Sequence, residues 1–270
     1  MVKLSSDEVA DNLWFLLDNI LTDSQQGSCI GHIQCAAPTC DNDVTLAADS
    51  PIQLQTLLDI VGEYSSKHRY KLQPAKCAIS VWNSPVPVHF NWTRIGEDLS
   101  FKDCYSTIGI LRDMKLGQFL PTCSANISSA RKALYSMLGA DLHGKTGFNP
   151  QCCHSIWETY IISILTYGLE LFSFNQKEIS LLESFQAAIF HQLLGLLDYN
   201  PSCALLVLLG SPSVEACISL HVLTLFGNIC RNPDSIEWKI FHRQLAVKTL
   251  SSASWIIHVQ KLVTRFSLPG

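Results

Sequence analysis

The residues best suited to chemistry form an acidic cluster near residue 42. Asp41, Asn42 and Asp43 lie between two predicted strands, Ile30–Cys35 and Val44–Ala47, so they form a tight turn. Paired carboxylates at such a turn can hold two divalent cations, roughly 3.5 to 4 Å apart, that stabilise the attacking and leaving oxygens of phosphoryl transfer. The first position of this pair, Asn42, is an amide that brings no negative charge and cannot bridge hard cations such as Mg2+. The pair therefore predicts a metal site in which, of the two positions, only Asp43 remains as an acidic ligand.

The acidic turn has two alternative interpretations. An EF-hand calcium loop would begin at Asp41, but Leu46 occupies the position that requires glycine and Ile52 the position that requires glutamate, so this reading fails. The other alternative is a solvated hairpin turn, in which Asp and Asn are used for their tolerance of tight backbone geometry.

The pattern of apolar residues changes along the chain. Up to about residue 121, short strands alternate with two helices, and the predicted elements are helices 6–22 and 50–67 with strands Ile30–Cys35, Val44–Ala47, Cys77–Trp82, Val88–Trp92 and Asp103–Ile110. Beyond that point the periodicity is helical, and the predicted helices cover residues 126–142, 150–165, 176–196, 211–230, 234–248 and 254–265. The sequence thus predicts an α+β fold with two domains: 1–118, a small and mainly antiparallel sheet with helices, and 119–270, an all-helical module.

Six segments, in the same order, carry a family resemblance. They are Cys40–Leu46, Ser50–Tyr70, Leu72–Cys77, Tyr105–Ile110, Arg131–Gly139 and Leu165–Glu170. The set resembles the reverse transcriptases of non-LTR (LINE-like) retrotransposons: the Asp-Asp turn of the palm, the helix after it, a lysine-bearing loop, the hairpin that grips the primer, and the helical region beyond. The resemblance implies a partial palm followed by a thumb-like module, with Asn42 and Asp43 as relic catalytic positions, Asp43 as a relic metal ligand, and Lys76 as the lysine near the incoming nucleotide. An ordinary loop cation is the alternative for Lys76.

The chain also departs from the family pattern. In the family a first catalytic aspartate lies upstream in a Phe-x-x-Asp-type strand, and a Gln-Gly-containing motif follows it. Neither precedes Asn42, since Gln25–Gly27 lies too close to the turn and lacks the Ser-Pro that normally follows. The resemblance therefore implies a truncated, degenerate RNA-directed DNA polymerase that is inactive on its own and has no cofactor, Mg2+ being the cofactor of the family.

Composition indicates a folded intracellular protein, cytoplasmic or nuclear. Hydrophobic residues make up 47% and charged residues 16% of the 270, which favours a substantial core. The eleven cysteines form no disulfide framework, and no apolar run approaches the length of about 18 residues that a membrane span requires. We expect no membrane association, and we expect the densest apolar run, Ala204–Leu209, to form a buried helix.

Charge is distributed unevenly. Residues 1–63 carry one lysine against ten Asp and Glu, whereas residues 231–270 carry six Lys and Arg against two Asp and Glu. A basic C-terminal segment favours weak binding of RNA or DNA through Lys239, Arg243 and Lys248, the alternative being a solvated helix face.

Three aromatic residues, Trp157, Tyr160 and Tyr167, are expected in the core because they recur at helical spacing. Besides the inactive polymerase, two functions remain open: a nucleic-acid-binding or interaction module, and a genomic relic without a selected role.

Overall fold

The fold is given by a computed structural model, which describes residues 2–5, 11–40, 43–69, 73, 77–81, 93–94, 97–99, 101–113, 120–138, 149–196 and 201–268. The chain forms two compact units, Met1–Leu116 and Gly117–Gly270. The first unit mixes helices with strands, and the described part of the second contains helices and turns only, so the predicted α+β class is confirmed. The predicted boundary between residues 118 and 119 lies outside the described residues.

A four-stranded sheet with two helices forms the centre of the first unit. Its elements are β1 (Val2–Ser5), α1 (Asp11–Asp23), β2 (Cys29–Ile30), β3 (Ile33–Gln34), β4 (Thr39–Cys40), β5 (Asp43–Leu46), α2 (Pro51–His68) and β6 (Ala78–Ile79). The strands lie in the order β4-β5-β1-β6, and each neighbouring pair is antiparallel. This is the β-α-β-β-α-β order of split βαβ folds, with the small β2–β3 hairpin inserted after α1.

The core of the first unit lies between this sheet and the two helices. Leu17 and Leu21 of α1 and Leu57, Leu58 and Val61 of α2 are fully buried, together with Val44 and Leu46 of β5 and Ile79 of β6. The predicted helix 50–67 is confirmed: the Ser50 hydroxyl accepts a hydrogen bond from the Gln53 N–H at 3.3 Å, and Pro51 occupies the first turn. It ends where Arg69 adopts a left-handed conformation.

Two predicted strands are each a hairpin. The segment Ile30–Cys35 is divided between β2 and β3 by a turn at which Gly31 has φ +69°. Likewise the segment Asp103–Ile110 is divided between β9 (Cys104–Thr107) and β10 (Ile110–Asp113), because Ile108 and Gly109 both have positive φ and reverse the chain. A third hairpin joins β7 (Thr93–Arg94) to β8 (Glu97–Asp98). The predicted strand 88–92 lies outside the described residues, as do residues 6–10 of the first predicted helix.

The second unit is a set of helices. These are α3 (Leu120–Leu138), α4 (Pro150–Ile156), a π-helical segment (Trp157–Ile161), α5 (Ile162–Thr166), a 3-10 turn (Leu169–Leu171), α6 (Gln176–Leu194), α7 (Ser202–Leu209), α8 (Val214–Cys230), α9 (Ile236–Val247) and α10 (Trp255–Arg265). Three of these helices have capped starts: Asn175 and Glu178 form a capping box at α6, and Ser213 and Ser235 cap α8 and α9.

The expectation that Ala204–Leu209 is a buried helix is wrong. Helix α7 covers these residues, but within it only Leu205 is buried, while Val207 is 84% and Leu208 67% exposed. The helix is apolar all round, so packing one face leaves apolar side chains on the other. Among the described residues no single helix is long and apolar enough to cross a membrane; α7 and α8 taken together meet that criterion, with a bend of 62° between them.

Candidate functional site

The acidic turn lies where strand β4 turns back into β5. Cys40 is paired with Asp43 and Thr39 with Val44, so the connection consists of Asp41 and Asn42, which lie outside the described residues. Asp43 is the first residue of β5. Strand β5 lies between β4 and β1, so the turn joins an edge strand of the sheet to an inner one.

Strand β1 brings a second chain segment to Asp43, and the sequence did not predict this strand. The antiparallel register pairs Ser5, the last residue of β1, with Asp43, the first residue of β5. The residue paired with Asp43 is therefore a serine, which has a neutral hydroxyl and not a carboxylate. Among the side chains that the structure describes, no three His, Cys, Asp or Glu residues are grouped so that they could hold a metal ion.

The remaining predicted site residues are distributed between the two units. Lys76 lies outside the described residues. Lys239 and Arg243 are four residues apart on α9, which places them one turn apart on one side of the helix. Lys248 follows the end of α9 in an extended conformation, and its N–H donates to the Gln244 carbonyl. The structure thus brings two of the three predicted cations together.

The expectation that all three aromatic residues lie in the core is correct for Trp157 alone. Trp157 is 1% exposed, whereas Tyr160 is 58% and Tyr167 49% exposed. The π-helical segment explains the first difference, because its wider turn leaves Glu158, Thr159 and Tyr160 exposed between two buried residues, Trp157 and Ile161. Tyr167 is exposed because it follows the last residue of α5.

A cleft of about 380 Å³ lies within the second unit beside Tyr167. The cleft is lined by residues from the end of α5, the following turn and one face of α8. Those with polar side-chain groups include Ser163, Tyr167, Glu170, His221, Thr224 and Asn228. The sequence analysis missed this cleft. A signal for it was present, because His221, Thr224 and Asn228 recur at three- and four-residue spacing and form a polar face on an otherwise apolar helix.

The backbone at the floor of the cleft is fixed from two other helices. The buried Asn126 of α3 donates hydrogen bonds from Nδ2 to the carbonyls of Leu165 at 3.1 Å and of Tyr167 at 2.9 Å. The indole Nε1 of Trp255, at the start of α10, donates to the Glu170 carbonyl at 2.6 Å. These bonds hold the turn that follows α5, in which Gly168 has φ +70°, in one conformation.

Four of the described cysteines are poorly suited to thiol chemistry. Burial raises the pKa of the Cys123 thiol to about 11, with a smaller contribution from the negative charge of Glu178. Burial is also the main cause of the raised pKa of the Cys35, Cys217 and Cys230 thiols. A raised pKa keeps each of these groups as the thiol, whereas nucleophiles and metal ligands are thiolates.

Comparison with known proteins gives no assignment: no protein-family model matches the chain, and no curated protein matches it.

Proposed function

We propose that this chain is a catalytically inactive form of the reverse transcriptase of a non-LTR retrotransposon, with a palm-like first unit and a thumb-like second unit. Four described features follow one another in the order that the resemblance implies. They are the β4–β5 hairpin at the acidic turn, helix α2, the β9–β10 hairpin and the helices from α3 onward. The sheet order β4-β5-β1-β6 adds support, because it places a strand beside the acidic hairpin, where a two-metal site needs a second source of ligands.

The single observation that carries the proposed inactivity is the pairing of Ser5 with Asp43. Two divalent cations need several anionic oxygens, and in a two-metal site these come from carboxylates on neighbouring segments. Here the neighbouring strand ends in a serine, and the residue before Asp43 is Asn42. With neutral residues at both positions, Asp43 has no carboxylate partner at residue 42 or at the paired position of β1, so the paired carboxylates that two Mg2+ ions need are missing.

A primer-extension assay tests the proposal. The purified chain is incubated with an RNA template, a DNA primer, deoxynucleotides and Mg2+, beside an active reverse transcriptase as positive control. We expect no extension by the chain or by its Asn42→Asp variant, because one restored carboxylate still leaves a neutral residue on β1. Mg2+-dependent extension that disappears in Asp43→Ala would overturn the proposed inactivity.

A second candidate function is weak binding of RNA or DNA by the C-terminal helices. The second unit as a whole has a net charge of +1, but its positive charge is concentrated in residues 231–270, whose net charge is +4. One of these cations, Arg265, is already paired with Glu215 at 2.6 Å. Lys239 and Lys248 are exposed and Arg243 is half-buried on or just after α9, so these three side chains lie near one another in the chain and can contact phosphates.

Fluorescence anisotropy with a labelled single-stranded RNA, measured over a range of salt concentrations, tests this second candidate. Replacing Lys239, Arg243 and Lys248 by alanine is expected to weaken binding and to reduce the slope of log K against log[salt] by about two, since each phosphate contact to a single strand contributes roughly 0.7. Lys132→Ala and Lys177→Ala, which remove exposed lysines from α3 and α6, serve as matched controls. Binding that is indifferent to salt, or equally weakened by the controls, would contradict the assignment.

A further inference from the structure

The cleft beside Tyr167 is open to solvent and has the size of a small-molecule site. Its volume of about 380 Å³ lies within the range of small-molecule pockets, about 300 to 1,000 Å³. Its floor is held by the hydrogen bonds from Asn126 and Trp255, so a ligand entering the cleft does not have to order the backbone. A preformed site loses less conformational entropy on binding than a flexible loop does.

One wall of the cleft is aromatic. Tyr167 lines it and keeps 49% of its surface exposed, held at its own carbonyl by Asn126. An exposed aromatic side chain at the edge of a concave surface provides a stacking platform for a flat ring, and stacking on such platforms depends on the planar face of the ligand. A flat, polar, aromatic ligand therefore suits this wall.

The polar groups of the cleft define the ligand further. The Glu170 carboxylate can only accept hydrogen bonds, while Asn228, Thr224 and Ser163 can both donate and accept. Among the common nucleobases, guanine presents two adjacent donors, N1–H and the N2 amino group, which match the two oxygens of a carboxylate. Arg231 does not line the cleft, but its Nη1 donates to Oδ1 of the lining residue Asn228 at 2.9 Å, so its guanidinium provides a positive charge beside that residue for a phosphate.

We propose that this cleft binds an unstacked guanine nucleotide, with the base against Tyr167 and Glu170 and its phosphate toward Arg231. The ligand is a guanine of single-stranded RNA or DNA, or a free guanine mononucleotide, since both present the same chemistry. The first source rests on the second candidate function above, because the strand would continue from Arg231 toward α9, which begins at Ile236 and carries Lys239 and Arg243. The second source does not depend on it.

The test is a titration of the full chain with GMP, AMP, CMP and UMP by isothermal calorimetry, together with anisotropy of a labelled single-stranded oligonucleotide containing guanine. We expect GMP to bind more tightly than the other three. Tyr167→Ala is expected to weaken binding of GMP at least about fivefold through loss of stacking, whereas Tyr167→Trp retains it. Glu170→Gln is expected to remove the preference for GMP over AMP, because an amide offers one acceptor instead of two.

Tyr135→Ala is the matched control, since Tyr135 is 57% exposed on α3 and does not line the cleft. Thermal melts of each variant verify that the fold is intact.

The outcomes distinguish the two sources of the ligand. GMP binding that is sensitive to Tyr167, without binding of the oligonucleotide, supports the cleft with a free nucleotide as its ligand and rejects the nucleic-acid strand. Oligonucleotide binding that depends on Lys239, Arg243 and Lys248 but not on Tyr167 overturns the cleft and leaves the C-terminal helices as the binding surface. Absence of GMP binding, or binding unaffected by Tyr167→Ala, also overturns it.

Discussion

Ser5 stands opposite Asp43 in the antiparallel register of β1 and β5. The pairing continues through Leu4 with Val44 to Val2 with Leu46, so β1 runs along the whole of β5 and ends beside the acidic turn. Serine at this paired position carries a neutral hydroxyl. Under the proposed function, Ser5 and Asn42 are therefore the two positions next to Asp43 at which a carboxylate would supply a second acidic ligand.

Ser5→Asp should convert this position into one that responds to divalent cations. Like charges at directly paired positions of two strands destabilise a sheet, so without metal we expect the free energy of unfolding to fall by about 0.2 to 1 kcal/mol. Mg2+ or Ca2+ that binds between the two carboxylates stabilises only the folded state, so the loss should be recovered as the cation is added. Thermal melts at increasing MgCl2 concentration, beginning without the salt, measure both effects.

Ser5→Asn is the matched control, because it has nearly the same size as aspartate and no charge. Its melting temperature should not respond to Mg2+. If the asparagine variant, or the unmodified chain, gains as much stability from Mg2+ as Ser5→Asp does, the register does not bring an acid to Asp43 and the interpretation of the turn fails.

The sequence predicts the long helices well because their signals are local. Helix α2 has a serine cap, a proline in its first turn and an apolar stripe, and each of these features acts within a few residues. Helix α6 is predicted for the same reason, since Ile179, Leu182, Phe185 and Ile189 recur on one face. The pattern therefore fixes the type of these elements and most of their length.

The features that were missed depend on contacts between distant segments. Strand β1 has only four residues and is stabilised by pairing with β5 and β6, some 40 and 75 residues along the chain. Helix α7 is apolar enough to be buried, but nothing in its own sequence says that Val207 and Leu208 face away from α6 and α4. Tyr167 is exposed just after the end of α5, and its carbonyl accepts a hydrogen bond from Asn126, which lies on a different helix.

The turn of the β9–β10 hairpin places a β-branched residue in an unfavourable conformation. Ile108 has φ +52° and is 47% exposed, and Gly109 follows with φ +74°. Left-handed geometry is costly for isoleucine, whereas Asn-Gly is the preferred pair when both residues of a two-residue turn have positive φ. Ile108→Asn should therefore raise the free energy of unfolding by about 0.5 to 1 kcal/mol, measured by chemical denaturation.

Ile52→Asn is the control for this substitution. Ile52 is also exposed, at 73%, but it lies in the first turn of α2, where asparagine is a poorer helix former than isoleucine. This variant should lose stability or leave it unchanged. A gain of similar size at both positions would attribute the effect to reduced surface hydrophobicity rather than to the turn.

Gln186 joins α6 to the start of α8. Its side chain is 2% exposed; Nε2 donates to the Pro212 carbonyl at 2.9 Å, and Oε1 accepts from the Val214 N–H at 3.1 Å. Gln186→Leu keeps the approximate volume but leaves both backbone groups without these partners, so we expect a loss of about 2 to 4 kcal/mol in the free energy of unfolding. Gln192→Leu, at an exposed position of the same helix, should change it by less than about 0.5 kcal/mol. Equal losses in the two variants would show that the bridge contributes nothing.

His258 makes the stability of the second unit depend on pH. It is half-buried on α10, and burial lowers its pKa below the ordinary value of 6.5, with a further lowering by the charge of Lys261 and an opposing effect of Glu215. The folded state thus favours the neutral imidazole, so the unfolded chain takes up the proton first as the pH falls. The contribution of His258 to stability is fully present above about pH 6.5 and is lost as the pH falls through the lowered pKa of the folded state.

We expect His258→Gln to lose less stability than the unmodified chain between about pH 7.5 and pH 5.5, as measured by urea denaturation at both values. Comparing the two proteins cancels the titration of Glu183, whose raised pKa acts in the opposite direction. An identical loss in both proteins would exclude His258 as the titrating group.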